Sequence, residues 1–167
     1  MEQQEKSFLE AFDEKKNAGT LRVLTVLTII GSSILLISAV WGFFTAKQSY
    51  EAMDKLMNSD DLNKLPALLR NMYTPEMLEV TRKTYENRLP LLIINLASGG
   101  LCLFGAIKMR ALKAEGFIAW LIGELLPYLG YLLFIGAASF NGIYFLIGAA
   151  VNVLFIALYA SQRKHLS

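Results

Sequence analysis

Four long, almost uncharged apolar stretches constrain the fold of this chain more than any other feature of its sequence. They cover residues 23–44, 89–107, 116–138 and 143–160. A helix needs about 20 apolar residues to cross the roughly 30 Å hydrocarbon layer, because each residue advances it by about 1.5 Å. The sequence therefore predicts an all-α, polytopic membrane protein whose four transmembrane helices form a bundle.

The composition argues against a soluble domain and against a nucleic-acid partner. Hydrophobic residues make up 54% of the chain and charged residues 18%, which leaves too little polar surface to cover four buried helices. The net charge is only +2, and no basic cluster suggests nucleic acid. We expect the lipid bilayer to be the main partner, together with other membrane protein subunits or further copies of this chain.

The short loop and the tail on one side of the predicted spans are basic, whereas seven Lys and Arg in the long loop over 45–88 are balanced by acidic residues. The loop over 108–115 and the C-terminal tail contain Lys108, Arg110, Lys113, Arg163 and Lys164, whereas the hairpin over 139–142 has no charge. The positive-inside rule then places both termini in the cytoplasm. The acidic N-terminus does not resemble a cleaved signal peptide, so we expect the first span to be retained.

Residues 1–21 are predicted to be a cytoplasmic segment that precedes the four-helix transmembrane domain over 22–167. Phe8, Leu9 and Phe12 would share one side of a short helix that ends near Gly19. Such a helix could lie in the membrane interface, and a frayed tail is the alternative.

The extracytoplasmic loop over 45–88 is predicted to be a small helical cap. Apolar residues at helical spacing indicate two short amphipathic helices within 50–72, and Thr74-Pro75-Glu76 is typical of a helix start. Pro90 should then kink the second spanning helix near the membrane surface. The loop either covers the bundle or provides a docking surface for a partner.

Small residues recur on one face of each span, where they allow another helix to approach closely. In the third span Gly116, Gly123 and Gly130 follow one another at intervals of seven residues. The predicted packing positions in the other spans are Gly99 and Gly105 in the second and Gly148, next to Asn152, in the fourth. The aromatic residues toward the ends of the spans, Trp120 and Tyr159 among them, are interpreted as interfacial anchors.

Glu124 is the only ionisable carboxylate or base within the predicted spans. A carboxylate that has lost its hydration needs either a proton or a cation to neutralise it, and no span contains Lys or Arg. Pro127 also leaves the carbonyl of Gly123 without its usual amide donor. The candidate intramembrane polar site comprises Glu124, Tyr128, Tyr131 and Asn152, with Ser32 or Ser33 as further candidate partners of the carboxylate.

Two readings of this polar site remain open. An intramembrane acid is by default a candidate for handling a proton or a cation. The alternative is a protonated, structural hydrogen-bond donor.

Signatures of an enzyme, a cofactor or a metal site are missing from the sequence. The single histidine, His165, lies at the C-terminal edge, and the single cysteine, Cys102, lies within a span. Neither a haem pair nor a positioned nucleophile can be assembled from them. We therefore expect a non-enzymatic protein with no cofactor, no metal and no catalytic residues.

Three segments, in this order along the chain, carry a family resemblance. They are Leu21-Arg-Val-Leu-Thr-Val-Leu-Thr-Ile-Ile-Gly-Ser-Ser33, Gly105-Ala-Ile-Lys-Met-Arg-Ala-Leu-Lys-Ala-Glu-Gly-Phe117 and Phe155-Ile-Ala-Leu-Tyr-Ala-Ser-Gln-Arg-Lys-His-Leu166. Together they resemble small, uncharacterised tetraspan membrane proteins of Bacteroidetes-type bacteria. The resemblance implies a multi-pass protein of the bacterial inner membrane, and it assigns no functional residue.

The leading hypothesis from the sequence is an accessory or scaffold subunit of a membrane complex, because the bundle is complete and shows no chemistry. The competing hypothesis is a small proton- or cation-linked transporter or channel-like protein that uses Glu124. A lipid-binding protein that uses the kinked third span is a weaker alternative.

Overall fold

The computed structural model describes residues 2–71, 73–140 and 143–162, and within these ranges the chain is helical with no strand. The helices are α1 (Glu2–Met57), α2 (Asp61–Lys64), α3 (Ala67–Arg70), α4 (Pro75–Glu86), α5 (Arg88–Arg110), α6 (Glu115–Phe134) and α7 (Ile143–Gln162), with a 3₁₀ turn over Ala137–Phe140. The all-α fold is thus confirmed.

Four helical segments of the described chain are long and apolar enough to cross a membrane. They are Gly19–Met57, Arg88–Arg110, Glu115–Phe134 and Phe145–Gln162. The prediction of a polytopic membrane protein with four spanning helices is therefore confirmed. We call the side of the bundle that carries the connection between α5 and α6 the basic side, and the side that carries α2–α4 the loop side.

Helix α1 is one continuous helix of 56 residues, which corrects two predictions. The helix does not end near Gly19, and the first of the two short helices expected in the loop is the continuation of α1 as far as Met57. No proline precedes Pro66, and one glycine in a helix costs only about 1 kcal/mol, so nothing in this stretch breaks the helix. The predicted apolar face of the first residues involves side chains outside the described part of the structure.

Helix α4 packs against the extension of α1 on the loop side. The rings of Tyr50 and Tyr85 stack with their centroids 6.0 Å apart, and the Thr81 hydroxyl lies 3.4 Å from the sulfur of the buried Met53. The hydroxyl of Thr74 accepts a hydrogen bond from the Met77 amide, as expected of an N-cap. The cap of the bundle is therefore a helical hairpin made of the end of α1 and α4.

The boundary between α4 and α5 lies at Asn87, three residues before Pro90. Pro90 has no amide proton for the carbonyl of Glu86, and its ring crowds that turn, so the helix breaks there. After this break, the amide of Leu91 again donates a helical hydrogen bond, to the carbonyl of Asn87 four residues earlier. The expected kink is thus a break between two helices.

Helix α6 ends earlier than the predicted boundary at residue 138. Gly136 has a φ of +95°, a left-handed conformation that ends a helix, and its amide bonds back to the carbonyl of Tyr131. Lys83 donates a hydrogen bond to the Ile135 carbonyl at 3.3 Å, and Asn87 donates one to the Phe134 carbonyl at 3.4 Å. The cap thereby supplies donors to the exposed end of α6. The predicted hairpin over 139–142 continues into residues 141 and 142, which lie outside the described part.

Helices α5 and α6 form the closest pair in the bundle because glycines face each other between them. A Cβ atom added at Gly105 would lie 2.6 Å from the Gly116 carbonyl oxygen, and one at Gly123 would lie 2.7 Å from the sulfur of Cys102. Further along, a Cβ at Gly130 would meet the side chain of Ile94 at 2.8 Å. Backbone-to-backbone contact of this kind provides the dispersion energy that holds helices together in lipid.

Candidate functional site

A cavity of about 720 Å³ lies between α1, α5, α6 and α7. Most of its exposed wall is apolar, although half of the residues that line it have polar or ionisable side chains. The polar or ionisable residues that line it are Thr28, Ser32, Ser38, Asn95, Ser98, Cys102, Glu124, Tyr128, Tyr131, Ser139 and Asn152. All four members of the predicted intramembrane site thus line one cavity.

The structure gives the carbonyl freed by Pro127 a specific partner. The hydroxyl of the buried Ser98 on α5 donates a hydrogen bond of 2.7 Å to the carbonyl oxygen of Gly123 on α6. The free carbonyl was expected from the sequence, whereas its donor was not. Ser98 and Cys102 are four residues apart, so both face α6, and this spacing was the signal available for finding the donor.

Glu124 lies in the wall of the cavity, about 12 Å along α6 from Gly116. Across the helix interface the sulfur of Cys102 lies 3.7 Å from Oε1, and on α6 itself the Trp120 side chain is the other polar group near the carboxyl. None of the lining residues carries a positive charge, and the described part of the chain places no ion pair on this carboxylate. The carboxyl group therefore faces the cavity without a counter-charge.

Tyr128 and Asn152 form a polar contact of their own beside Glu124. The Asn152 amide donates a hydrogen bond to the Tyr128 hydroxyl and links α7 to α6. Tyr131 lines the cavity one turn nearer the loop side. The four predicted residues line one space, and the hydrogen bond of Tyr128 and Asn152 joins these two candidate partners of Glu124 to each other.

The basic side of the cavity is closed by a packed aromatic cluster. Trp120 and Tyr159 are both 0% exposed, and their ring centroids lie 4.5 Å apart. The Tyr159 hydroxyl shares a 2.7 Å hydrogen bond with Thr28 on α1. Leu21, Leu24, Met109 and Phe117 complete the core there.

The expectation that Trp120 and Tyr159 are interfacial anchors is therefore wrong. Both rings are buried inside the bundle, and Trp120 fits there because Gly105 of α5 has no side chain at this contact. Trp120 Nε1 has no hydrogen-bond partner among the described residues.

The cavity extends from Glu124 toward the loop side, where Val80 of α4, Ser139 and Phe140 line its end. On α4, Arg82 donates hydrogen bonds to Glu79 and, at 2.7 Å, to Glu86. The bond from Arg82 lowers the pKa of Glu79, and the Glu76 backbone amide, followed by the Thr74 hydroxyl, lowers that of Glu76. These ion pairs lie within α4 and stabilise its helical form.

Five of the six predicted packing glycines lie at close helix contacts. Gly105, Gly116, Gly123 and Gly130 lie between α5 and α6, and a Cβ at Gly99 would meet Leu36 of α1 at 2.6 Å. Gly148 differs from this pattern, because it is exposed and a Cβ there would meet no atom of the described chain within 4 Å. The Gly148 face of α7 therefore points away from the other described helices. The basic tail with Arg163, Lys164 and His165 lies outside the described part.

No group of three or more His, Cys, Asp or Glu side chains suited to a metal ion occurs among the described residues. In comparisons with known proteins, no family model, no curated protein and no solved structure matches this chain. The functional argument therefore depends on the geometry of the cavity.

Proposed function

We propose that this chain is a small, non-enzymatic transporter or channel-like protein in which Glu124 handles a proton or a cation. The observation that supports the proposal most strongly is the position of this carboxyl group in the wall of a cavity of about 720 Å³, without a counter-charge. An acid buried for structural reasons alone would be expected to have its oxygens satisfied by strong donors from neighbouring helices. Here the contact across the helix interface is a thiol at 3.7 Å.

The shape of the cavity supports the same function. The space is closed on the basic side by Trp120 and Tyr159 and reaches α4 on the loop side. A pathway through the membrane needs a barrier of this kind that can open, and the Tyr159–Thr28 hydrogen bond is the polar contact within it. The arrangement corresponds to a cavity that is closed toward the basic side.

Flux measurements in liposomes test the proposal. We expect purified protein to increase the passage of protons or monovalent cations over that of empty liposomes, in a pH-dependent manner. The Glu124→Gln variant, which keeps the shape but cannot ionise, should lose this flux. Glu115→Gln is the matched control, because Glu115 lies on the same helix with its side chain 66% exposed. Absence of flux from the wild-type protein, or equal flux from the Glu124 variant, would contradict the proposal.

An accessory or scaffold subunit is the second candidate, and the surface of α7 favours it. Only 6% of the apolar window of Phe145–Gln162 is buried within the bundle, compared with 33% for α5. The remaining surface is free for lipid or for a helix of another subunit. This role requires a stoichiometric partner.

Purification in mild detergent from the native membrane distinguishes the two candidates. A partner that stays bound in a constant ratio, as identified by mass spectrometry, would support the accessory role. A homogeneous assembly of this chain alone would count against it and leave the transport proposal.

We further propose that the protein resides in a bacterial inner membrane with both termini in the cytoplasm. The support is the basic connection between α5 and α6, which contains Lys108, Arg110 and Lys113. Reporter fusions after residue 112 and at the C-terminus should both report the cytoplasm, whereas a fusion after residue 63 should report the opposite side. A cytoplasmic signal at residue 63 would reverse the orientation.

A further inference from the structure

The cavity is open sideways, between α1 and α7, in the part of the chain that spans the membrane. Leu27 of α1 and Val151 of α7 line the cavity, and their side chains are 48% and 46% exposed. Gly31, one turn from Leu27 on α1, also lines the cavity, and a Cβ atom added there would meet no atom within 4 Å. The gap is therefore bounded by side chains that face the hydrocarbon layer.

The packing of α7 explains the gap. At its basic-side end α7 is joined to α1 through Tyr159 and Thr28. Beyond that point it leans on α6 instead, through the Asn152–Tyr128 hydrogen bond and an edge contact between Phe145 and Tyr128. Helices α1 and α7 consequently diverge from the level of Thr28 toward the loop side.

The chemistry of the walls selects the class of molecule that fits. Leu27, Leu35, Val151 and Phe155 provide an apolar lining near the gap, while the carboxyl group of Glu124 lies in the wall further inside. An apolar chain is compatible with the first surface, and a cationic group is compatible with the second, because no lining residue carries a positive charge. An anionic headgroup would meet an acid with no cation beside it.

We propose that the cavity takes up a single-chain amphiphile with a cationic head directly from the bilayer, between α1 and α7, and places its head at Glu124. The proposal rests on the proposed function and names the class of its cation. The volume of about 720 Å³ lies within the range of roughly 300–1,000 Å³ that is usual for sites of drug-sized ligands. Free cations from water would instead have to arrive through the loop-side end.

Electron paramagnetic resonance in proteoliposomes tests this inference with a spin-labelled alkyl chain that carries a trimethylammonium head. We expect a motionally restricted component from the wild-type protein, and affinity lower by about tenfold or more in Glu124→Gln. The same chain with a sulfate head should show no restricted component above that of boundary lipid. Tetramethylammonium, which is the head alone, should displace the probe poorly.

Filling the gap provides a second, independent variant. Val151→Trp should remove the restricted component by occupying the space between α1 and α7. Val153→Trp is the matched control, because Val153 lies on the same helix, is 66% exposed and does not line the cavity. Equal loss in both variants, or no loss in either, would overturn the lateral route.

The two proposals fail in different ways. If Glu124-dependent flux of protons or small cations is present but the cationic amphiphile shows no restricted component, the inference about the amphiphile is wrong and the transport proposal stands. If neither signal depends on Glu124, both proposals are wrong.

Discussion

Replacing Ser98 with alanine tests whether the carbonyl freed by Pro127 depends on a single donor from another helix. Ser98 is 1% exposed, and its hydroxyl lies 2.7 Å from the Gly123 oxygen. Leaving a buried carbonyl without a donor costs about 1–3 kcal/mol in water-soluble proteins. Hydrogen bonds between helices in membranes average about 0.6 kcal/mol, with a maximum near 1.7. We therefore expect Ser98→Ala to lower the free energy of unfolding by about 1–2 kcal/mol.

The assay is unfolding of the purified protein in mixed micelles by increasing fractions of sodium dodecyl sulfate, followed by circular dichroism. Ser33→Ala is the matched control, because Ser33 donates to the Ile29 carbonyl of its own helix, which retains an amide donor. Ser33→Ala should lower the free energy of unfolding by about 0.5 kcal/mol or less.

A double-mutant cycle makes the test specific. Pro127→Ala restores the amide proton that bonds to the Gly123 carbonyl, so Ser98→Ala should cost clearly less in that background. Equal costs of Ser98→Ala with and without Pro127 would refute the reasoning, because they would show that the hydroxyl does not substitute for the missing amide.

Three further predictions concern packing, pH and the helix cap. Gly105→Ala should strongly destabilise the bundle in the same unfolding assay, because its Cβ would lie 2.6 Å from neighbouring backbone, whereas Gly100→Ala on the same helix meets nothing within 4 Å and should be tolerated. Acidification should loosen α4, because the pKa of Glu79 is lower in the folded protein than in the unfolded protein. The stabilisation that ionised Glu79 gives to the folded state is therefore present above the unfolded-state pKa and is lost as the pH falls through the folded-state value. Hydrogen exchange of α4 amides, corrected for intrinsic rates, should show this step in the wild-type protein and a smaller one in Arg82→Met, where only the lowered pKa of Glu76 remains. Thr74→Ala should lower the free energy of unfolding by about 1 kcal/mol and speed amide hydrogen exchange in the first turn of α4. Unchanged hydrogen exchange would exclude a role of Thr74 as the helix cap.

The fold follows from properties that each segment has by itself. Length and apolar composition determine which segments can cross a membrane, and the spacing of Gly116, Gly123 and Gly130 places them on one face. The position of the interruption near Pro90 was predictable for the same reason, since Pro90 affects only its own turn, although a kink was expected there and the structure has a break. The continuation of α1 to Met57 was not predicted. The residues before Met57 were interpreted as the first of two short loop helices, because the break that follows Met57 was taken as the boundary between those two helices.

The site could be predicted only in part, because its contacts depend on how the helices are rotated and aligned against one another. Glu124 and the carbonyl freed by Pro127 stand out within a single segment. That Ser98 supplies the donor, that Cys102 is the neighbour of Glu124, and that Trp120 points inward are consequences of the register between α5 and α6. Hydrophobic periodicity gives the face of a helix and leaves this register undetermined.

The most direct measurement of the central claim is the proton balance of cation binding at Glu124. A carboxyl group neutralised either by a proton or by a cation should release protons when a cationic probe binds. We expect the trimethylammonium amphiphile to release protons from wild-type protein in weakly buffered solution, with no release from Glu124→Gln and full release from Glu115→Gln. Binding without release in the wild-type protein, or release that persists in Glu124→Gln, would contradict the account.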